Sequence, residues 1–484
     1  MQTSKAIEIL QSVEDKGTPQ MGAEEQGELV QEGLIRLIPQ EEYDVMQRDV
    51  QGLDSTSIRV RDMARSSDTS RRAISIRSAG SAAAPGQSEV DYCKMLQQLE
   101  SMLLHKAILD SSAFCPGTGS YFVLTADGKR TLEDMKVWSK RFGRLDLKEF
   151  LIKLHDIRFE LATTVNKALN ITRDFQGFGY GYSVPDARAP SLMLAERGST
   201  AARTVNLLNA KGDQIAPRGE KLMIASLLGE KEGVGTELVT RYRQLTAKAN
   251  EMGMTATDDD FRSAALVGLP DEQVDQVLER VKQLKLSLNL NENDLTWLAL
   301  SDHTVEQSET RYSALLSGAQ ARGMQEDAPL ITAMAILAGS DLTENVLLDR
   351  FDFLQGALQR NYPSPRVAAA MLAIGPLEPE EALFVLRESV GIISRASYFD
   401  DAEEVDNLAL LLATTNSIMI PPAANAAADQ GRGSAIAPGG AALFLTPLMT
   451  GAFLYYWMNR NYHQPTIQRI ATHPMHMHTV PYFG

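Results

Sequence analysis

A short helix rich in Ala and Leu recurs at nearly even spacing between residues 237 and 414, and this feature constrains the fold most strongly. Each copy follows a longer helical segment with aromatic or aliphatic anchors. Ala at a contact face lets a neighbouring helix approach closely, while Leu and Ile fill the space around it. Steps of 34, 36, 36 and 38 residues separate Ala265, Ala299, Ala335, Met371 and Ala409. We therefore predict a mainly α fold of tandem helical hairpins, about 36 residues each.

A period of this length with two helices per unit resembles the α-solenoid class, of which tetratricopeptide repeats are the familiar member. The resemblance implies an architecture and no binding residues, because no Trp-x-x-Leu-Gly series recurs. Trp297 is the one Trp in this segment. The alternative is a compact helical bundle whose hairpins have similar lengths.

The negative charge of the chain is concentrated in the same segment. Residues 237–414 contain 14 Arg and Lys against 29 Asp and Glu, a net charge of −15, which equals the formal charge of the whole chain. An acidic surface repels nucleic acid phosphate and favours a basic protein partner, although it also serves solubility. We expect protein partners rather than nucleic acid, with a homo-oligomer as a further option.

The N-terminal part divides by composition. We predict a small helical unit over 1–54, where Leu29, Leu34, Leu37 and Ile38 are spaced as on one face of a helix. A linker rich in Ser, Arg and Ala is predicted over 55–88, without sustained periodicity. Its basic residues are Arg59, Arg61, Arg65, Arg71, Arg72 and Arg77.

A helical domain with a short β-hairpin is predicted over 89–236. Tyr121 to Leu124 form a β-type run, Asp127 and Gly128 suggest a turn, and a helix is expected from about Thr131. This order resembles the wing and closing helix of winged-helix domains over 89–136, and the stretch 32–44 is similar to another piece of that pattern. The resemblance implies a winged-helix-like fold without an evident basic recognition helix.

The C-terminal part differs again in composition. A Pro/Ala/Gly linker is predicted over 415–440, followed by an apolar tail over 441–484. The uncharged stretch 435–458 is long enough to span a bilayer, but its Pro, Gly and Thr residues dilute its hydrophobicity. Docking on the protein's own core or on a partner is the alternative that we favour. The predicted contact residues are Phe444, Phe453, Tyr455, Tyr456 and Trp457.

Histidine and methionine cluster near the C-terminus, in the sequence HPMHMH. Imidazole and thioether ligands together suit soft ions such as copper(I). A terminal segment seldom supplies the surrounding hydrogen bonds that order a metal site, so a tail without metal is the alternative. The candidate metal ligands are His473, His476, His478, Met475 and Met477.

Recognisable catalytic motifs do not occur in the sequence. It contains no HExxH, GxSxG, phosphate loop, kinase signature or paired Cys motif. With only Cys93 and Cys115 and no secretory signal, we expect a reducing, cytoplasmic compartment, with membrane association through the tail as an option. The leading hypothesis is a non-enzymatic scaffold or adaptor. The alternatives are a DNA-binding regulator and metal handling by the tail.

Overall fold

The protein divides into two compact units, Met1–Leu154 and His155–Gly484. The computed structural model describes residues 1–60, 87–177, 184–196, 199–211, 221–229, 235–253, 267, 271–301, 303–358, 365–375, 377–396 and 402–415. The described residues are mainly helical, which confirms the prediction of a mainly α protein. The division at Leu154 differs from the boundaries suggested by composition at 54 and 236. Residues 416–484, with the predicted tail, lie outside the described part.

The first unit combines helices with one small sheet. Its helices are α1 (Thr3–Glu14), α2 (Ala23–Gln31), α3 (Gln40–Gln51), α4 (Gln87–Ser111) and α5 (Ala126–Phe142). Its strands are β1 (Ile35–Ile38), β2 (Ala113–Cys115) and β3 (Ser120–Leu124). Residues 53–60 are also helical, so the predicted linker begins later than residue 55. Helix α6 (Leu147–Gly177) begins in this unit and continues into the second.

The sheet is antiparallel, with the strand order β1-β3-β2. Side chains alternate between its two faces, as in any strand. On one face α1 and α5 pack against β3. On the other, Ile38, Met46 and Val123 form a buried cluster that is extended by Tyr43 and Tyr121. Helices therefore cover both faces.

The prediction of a helical stripe at Leu34, Leu37 and Ile38 is wrong, because Leu37 and Ile38 belong to strand β1 and Leu34 directly precedes it. Gly33 follows the end of α2 with a φ of 71°, a conformation that favours glycine and ends a helix. Strand β1 then pairs with β3 from Ile35 opposite Leu124 onwards. This partner lies far along the sequence, so local periodicity does not reveal it.

Helix α5 begins at Ala126, earlier than the Thr131 expected from the sequence. The Thr125 side chain accepts a hydrogen bond from the Gly128 backbone, which caps the helix and draws the predicted turn into it. Gly128 is required for a second reason. A Cβ at this position would lie 1.8 Å from the carbonyl oxygen of Leu34, so only glycine permits this close approach.

The second unit alternates long and short helices over much of its length. It begins with the later part of α6, followed by α7 (Val184–Glu196), α8 (Ala201–Lys211), α9 (Lys221–Gly229) and α10 (Gly235–Glu251). The next pairs are α11 (Asp271–Ser287) with α12 (Glu292–Ala299), and α13 (Val305–Ala321) with α14 (Ala328–Ala338). The last pairs are α15 (Glu344–Leu358) with α16 (Pro365–Ile374), and α17 (Pro379–Arg395) with α18 (Ala402–Thr415).

Each long helix of these four pairs packs against the short helix that follows it. The short helices also contact one another in order, α12 with α14, α14 with α16 and α16 with α18, and the long helices do the same. Helices α14 and α16 are buried along almost their whole length. Such helices are apolar on every side because they have neighbours on every side. The short helices therefore form the core, and the long helices shield it.

Candidate functional site: an acidic rim beside a row of arginines

Arginines on three successive long helices reach the C-terminal ends of the short helices. Arg311 on α13 donates to the carbonyl oxygens of Ser340 and Leu342 at 2.7 Å and lies close to that of Ala338. Arg350 on α15 donates to those of Ala373 and Gly375. The last carbonyls of a helix lack intrahelical partners and carry partial negative charge, so a cation there is stabilising.

Arg280 on α11 has the same role for α12. Its guanidinium donates to the carbonyl oxygen of Ser301 at 2.6 Å and to that of Ala299 at 3.3 Å. Arg241 on α10 is 39 residues earlier, and Arg311 follows Arg280 by 31 residues. An arginine thus recurs at nearly the spacing of the helix pairs.

Three of these arginines also pair with an acid at the start of the next long helix. Arg241 lies 2.8 Å from Asp271, and Arg311 lies 3.0 Å from Glu344. The Glu378 carboxylate lies 3.4 Å from Arg350. The guanidinium groups of Arg311 and Arg350 are largely buried, with 17% and 14% of their side chains exposed. Their positive charge is therefore compensated by carbonyl oxygens and carboxylates of the second unit.

Beyond these ion pairs, each of the four long helices carries an exposed carboxylate at or just before its first turn. We define the acidic rim as Glu272, Glu306, Asp341 and Glu380. Three of these residues are the second residue of their helix, namely Glu272, Glu306 and Glu380. Carboxylates at these positions interact favourably with helix N-termini, which is a purely structural role. Exposed in a row, they also form a negative surface that attracts cationic groups over about 10 Å.

Ion pairs join neighbouring long helices near the first turn of the later helix. Lys248 on α10 pairs with Asp275 on α11, and Arg322 at the end of α13 pairs with Asp349 on α15. Both pairs join residues 27 positions apart. The N-terminal part of α11 thus lies beside the later part of α10, and that of α15 beside the end of α13. Because successive long helices contact one another, the rim acids follow one another in helix order.

A buried polar cluster lies at the other end of α12. We call Asn291, Asp294, Tyr312 and Thr332 the Asp294 cluster. Asn291 caps the helix, accepting from the Asp294 backbone at 2.9 Å and donating to the Asp294 carboxylate at 2.5 Å. Burial raises the pKa of Asp294 to about 6, while interactions with the Thr332 hydroxyl and Asn291 oppose the increase. Burial also raises the pKa of Tyr312 to about 12, with smaller contributions from nearby negative charges.

A carboxylate with a perturbed pKa can act in catalysis when a substrate can reach it. The Asp294 carboxylate is fully buried, and the cluster contains no histidine or cysteine. Within the described part of the chain, no group of three or more His, Cys, Asp or Glu side chains could hold a metal ion. We therefore treat the Asp294 cluster as a packing element with an ionisable centre.

The residues predicted from the sequence as metal ligands or as membrane or partner contacts lie outside the described residues. The metal ligands are His473, His476, His478, Met475 and Met477. The contact residues are Phe444, Phe453, Tyr455, Tyr456 and Trp457. Among the helices that are described, none is long and apolar enough to cross a membrane.

Neither the recurring arginines of the long helices nor the Asp294 cluster was predicted from the sequence. A signal for the arginines existed, because Arg241, Arg280, Arg311 and Arg350 recur with the helix pairs. For Asp294 the signal lay in the stretch NLNENDL, residues 289–295. The N-cap pattern of Asn291 followed three residues later by an acid was the available signal.

No protein family, curated protein or solved structure matches the chain.

Proposed function

We propose that the protein is a non-enzymatic scaffold whose acidic rim binds a basic protein partner. The observation that carries the proposal is the exposed carboxylate that recurs at the start of α11, α13, α15 and α17. The nearby arginines do not cancel this surface, because they are turned to the ends of the short helices and to other carboxylates. Electrostatic complementarity of this kind increases association rates and selects among partners.

The proposal includes the tandem-hairpin architecture predicted from the sequence. Two observations support it: long and short helices contact their counterparts in order, and equivalent arginines reach equivalent helix ends. A stack of hairpins displays equivalent surface positions at regular intervals, which suits an extended partner. A compact bundle would not need the same arginine in successive pairs.

The test compares two full-length charge-reversal variants. The rim variant carries E272K, E306K, D341K and E380K, and the matched control carries E41K, D54K, E100K and D110K on exposed positions of the first unit. Both change the net charge by the same amount. Purified proteins are crosslinked in native lysate and the captured proteins are quantified by mass spectrometry. We expect a set of basic partners that the wild type and the control capture and the rim variant loses. Equal capture by both variants would refute the proposal.

The alternative of DNA binding concerns the first unit. We propose a winged-helix-like fold for it, supported by the strand order β1-β3-β2 and by the helices between β1 and β2. Helix α4, which precedes the β2–β3 hairpin, does not suit DNA. It contains four acids against two lysines, Lys94 and Lys106, and one histidine, His105, and Leu103 and Leu104 are exposed. Salt-sensitive binding of the full chain to duplex DNA would support this alternative, and we expect none.

The roles of the tail remain predictions from the sequence alone. For a membrane tether, the full-length chain should float with lipid vesicles and resist an alkaline carbonate wash, while a chain ending at Thr415 should not. For metal handling, copper(I) binding should disappear when His473, His476 and His478 are replaced by Ala. We also propose a reducing, cytoplasmic location, with which the free thiols of Cys93 and Cys115 are consistent.

A further inference from the structure

Asp294 is a fully buried carboxyl group at a junction of helices. It belongs to the first turn of α12, and it interacts with Thr332 on α14 and with Tyr312 on α13. One carboxylate oxygen, Oδ2, accepts a hydrogen bond from the Asn291 amide. The other, Oδ1, is buried and has no partner at hydrogen-bond geometry among the described residues, and the Thr332 hydroxyl compensates the carboxyl only in part. A buried anion with an unsatisfied oxygen is costly, whereas a neutral carboxylic acid avoids most of that cost.

Among the residues that the structure describes, no cation pairs with Asp294. The neighbouring cations are committed to other acids: Lys285 of α11 pairs with Glu292, and Arg366 of α16 pairs with Asp327. From α13 the nearby ionisable group is Tyr312, which is neutral at physiological pH. Glu326, before α14, adds negative charge near Tyr312. Arg280 interacts with the opposite end of α12. Each neighbouring helix therefore presents neutral, negative or already paired groups.

We propose that Asp294 makes the packing of α12 against α13 and α14 depend on pH, so that the junction tightens when this side chain takes up a proton. A proton on Oδ1 removes the buried charge and leaves Oδ2 as the acceptor for Asn291. Loss of the proton restores a buried anion that only hydrogen bonds compensate. The junction is then weaker, and α12, the shortest of these helices, opens more often.

The direction and size follow from linkage. The pKa of Asp294 is about 6 in the folded protein and 3.8 for the unperturbed side chain. The folded state therefore binds the proton more tightly, and stability falls as pH rises between these two values. For this group alone, the folding equilibrium constant decreases about tenfold between pH 5 and pH 7. Above pH 7 the contribution no longer changes.

The experiment measures urea unfolding of the full-length chain at pH 5, 6 and 7 for the wild type, D294N and D349N. Asn cannot ionise but has nearly the same shape. Asp349 is an exposed control on α15 whose side chain is 74% accessible. We expect the folding equilibrium constant of D294N, divided by that of the wild type, to increase about tenfold from pH 5 to pH 7. D349N should follow the wild type. If D294N has the pH dependence of the wild type, the proposal is wrong.

A second measurement uses only the wild type, in case D294N does not fold. Hydrogen exchange of backbone amides, corrected for the intrinsic effect of pH, reports local opening of each helix. We expect greater protection of α12 and of the first turn of α14 at pH 5 than at pH 7, with little change in α17. A uniform change across all three helices would contradict the proposal, because it would show that no local junction responds to protonation.

Discussion

Replacing Arg350 with Met tests whether the arginines hold the helix pairs together. The Met side chain keeps much of the apolar stem but removes the guanidinium that donates to Ala373 at 3.1 Å and Gly375 at 3.0 Å. A hydrogen bond from a charged group contributes roughly 1.5–3 kcal/mol, and the interaction with a helix C-terminus about 0.3–1 kcal/mol. These contributions overlap, so we expect a loss of about 2–4 kcal/mol in the free energy of unfolding.

The ion pair with Glu378 adds little to this total. The Glu378 side chain is 47% exposed, and exposed pairs contribute at most about 1 kcal/mol. The loss should therefore persist when Glu378 is already replaced by Gln, which separates the helix-end interaction from the ion pair.

The assay is urea unfolding followed by circular dichroism, with R395M as the matched control. Arg395 is exposed near the end of α17 and donates to Gly391 of its own helix. We expect R395M to lower the free energy of unfolding by less than about 0.5 kcal/mol. The reasoning fails if R350M and R395M lower the free energy of unfolding by the same amount. The carbonyl oxygens at the end of α16 would then not depend on the Arg350 guanidinium.

Two further predictions concern the first unit. Gly128→Ala should cost about 3 kcal/mol or prevent folding, because its Cβ would overlap the Leu34 carbonyl, whereas Gly27→Ala in open space within α2 should stabilise by about 0.5–1 kcal/mol. Thermal unfolding measures both, and a Gly128→Ala protein as stable as the wild type would contradict the close approach. Exposed Cys93 should react rapidly with a thiol reagent, and buried Cys115 only on unfolding. Equal reaction rates of the two cysteines in the native protein would contradict the burial of Cys115.

The sequence predicted the helical class correctly because helices are local. Apolar residues at helical spacing and an N-cap such as Asp327, which accepts from the Leu330 backbone at 2.9 Å, can be recognised without knowing the fold. Strand β1 could not be recognised in this way. Leu29, Leu34 and Leu37 fit a helical stripe by spacing alone, and only the pairing of β1 with the distant β3 decides otherwise.

The candidate site was less predictable than the fold. The sequence located the negative charge in 237–414, but it could not show which cations are buried and paired within the unit. Arg311 and Arg350 could each have been a surface residue, and their burial follows from the packing of the long helices on the short ones. Asp294 illustrates the same limit, since its raised pKa results from neighbours on α13 and α14.

The affinity of a captured partner for the wild type, the rim variant and the control variant tests the proposed function most directly. It is measured by biolayer interferometry on full-length proteins at about 50 mM and about 300 mM salt. We predict that reversing the four charges of the acidic rim weakens binding roughly tenfold to a hundredfold at low salt and less at high salt, while the control binds like the wild type. Equal affinity of the wild type and the rim variant, or equal weakening in both variants, would contradict the proposed role of the acidic rim.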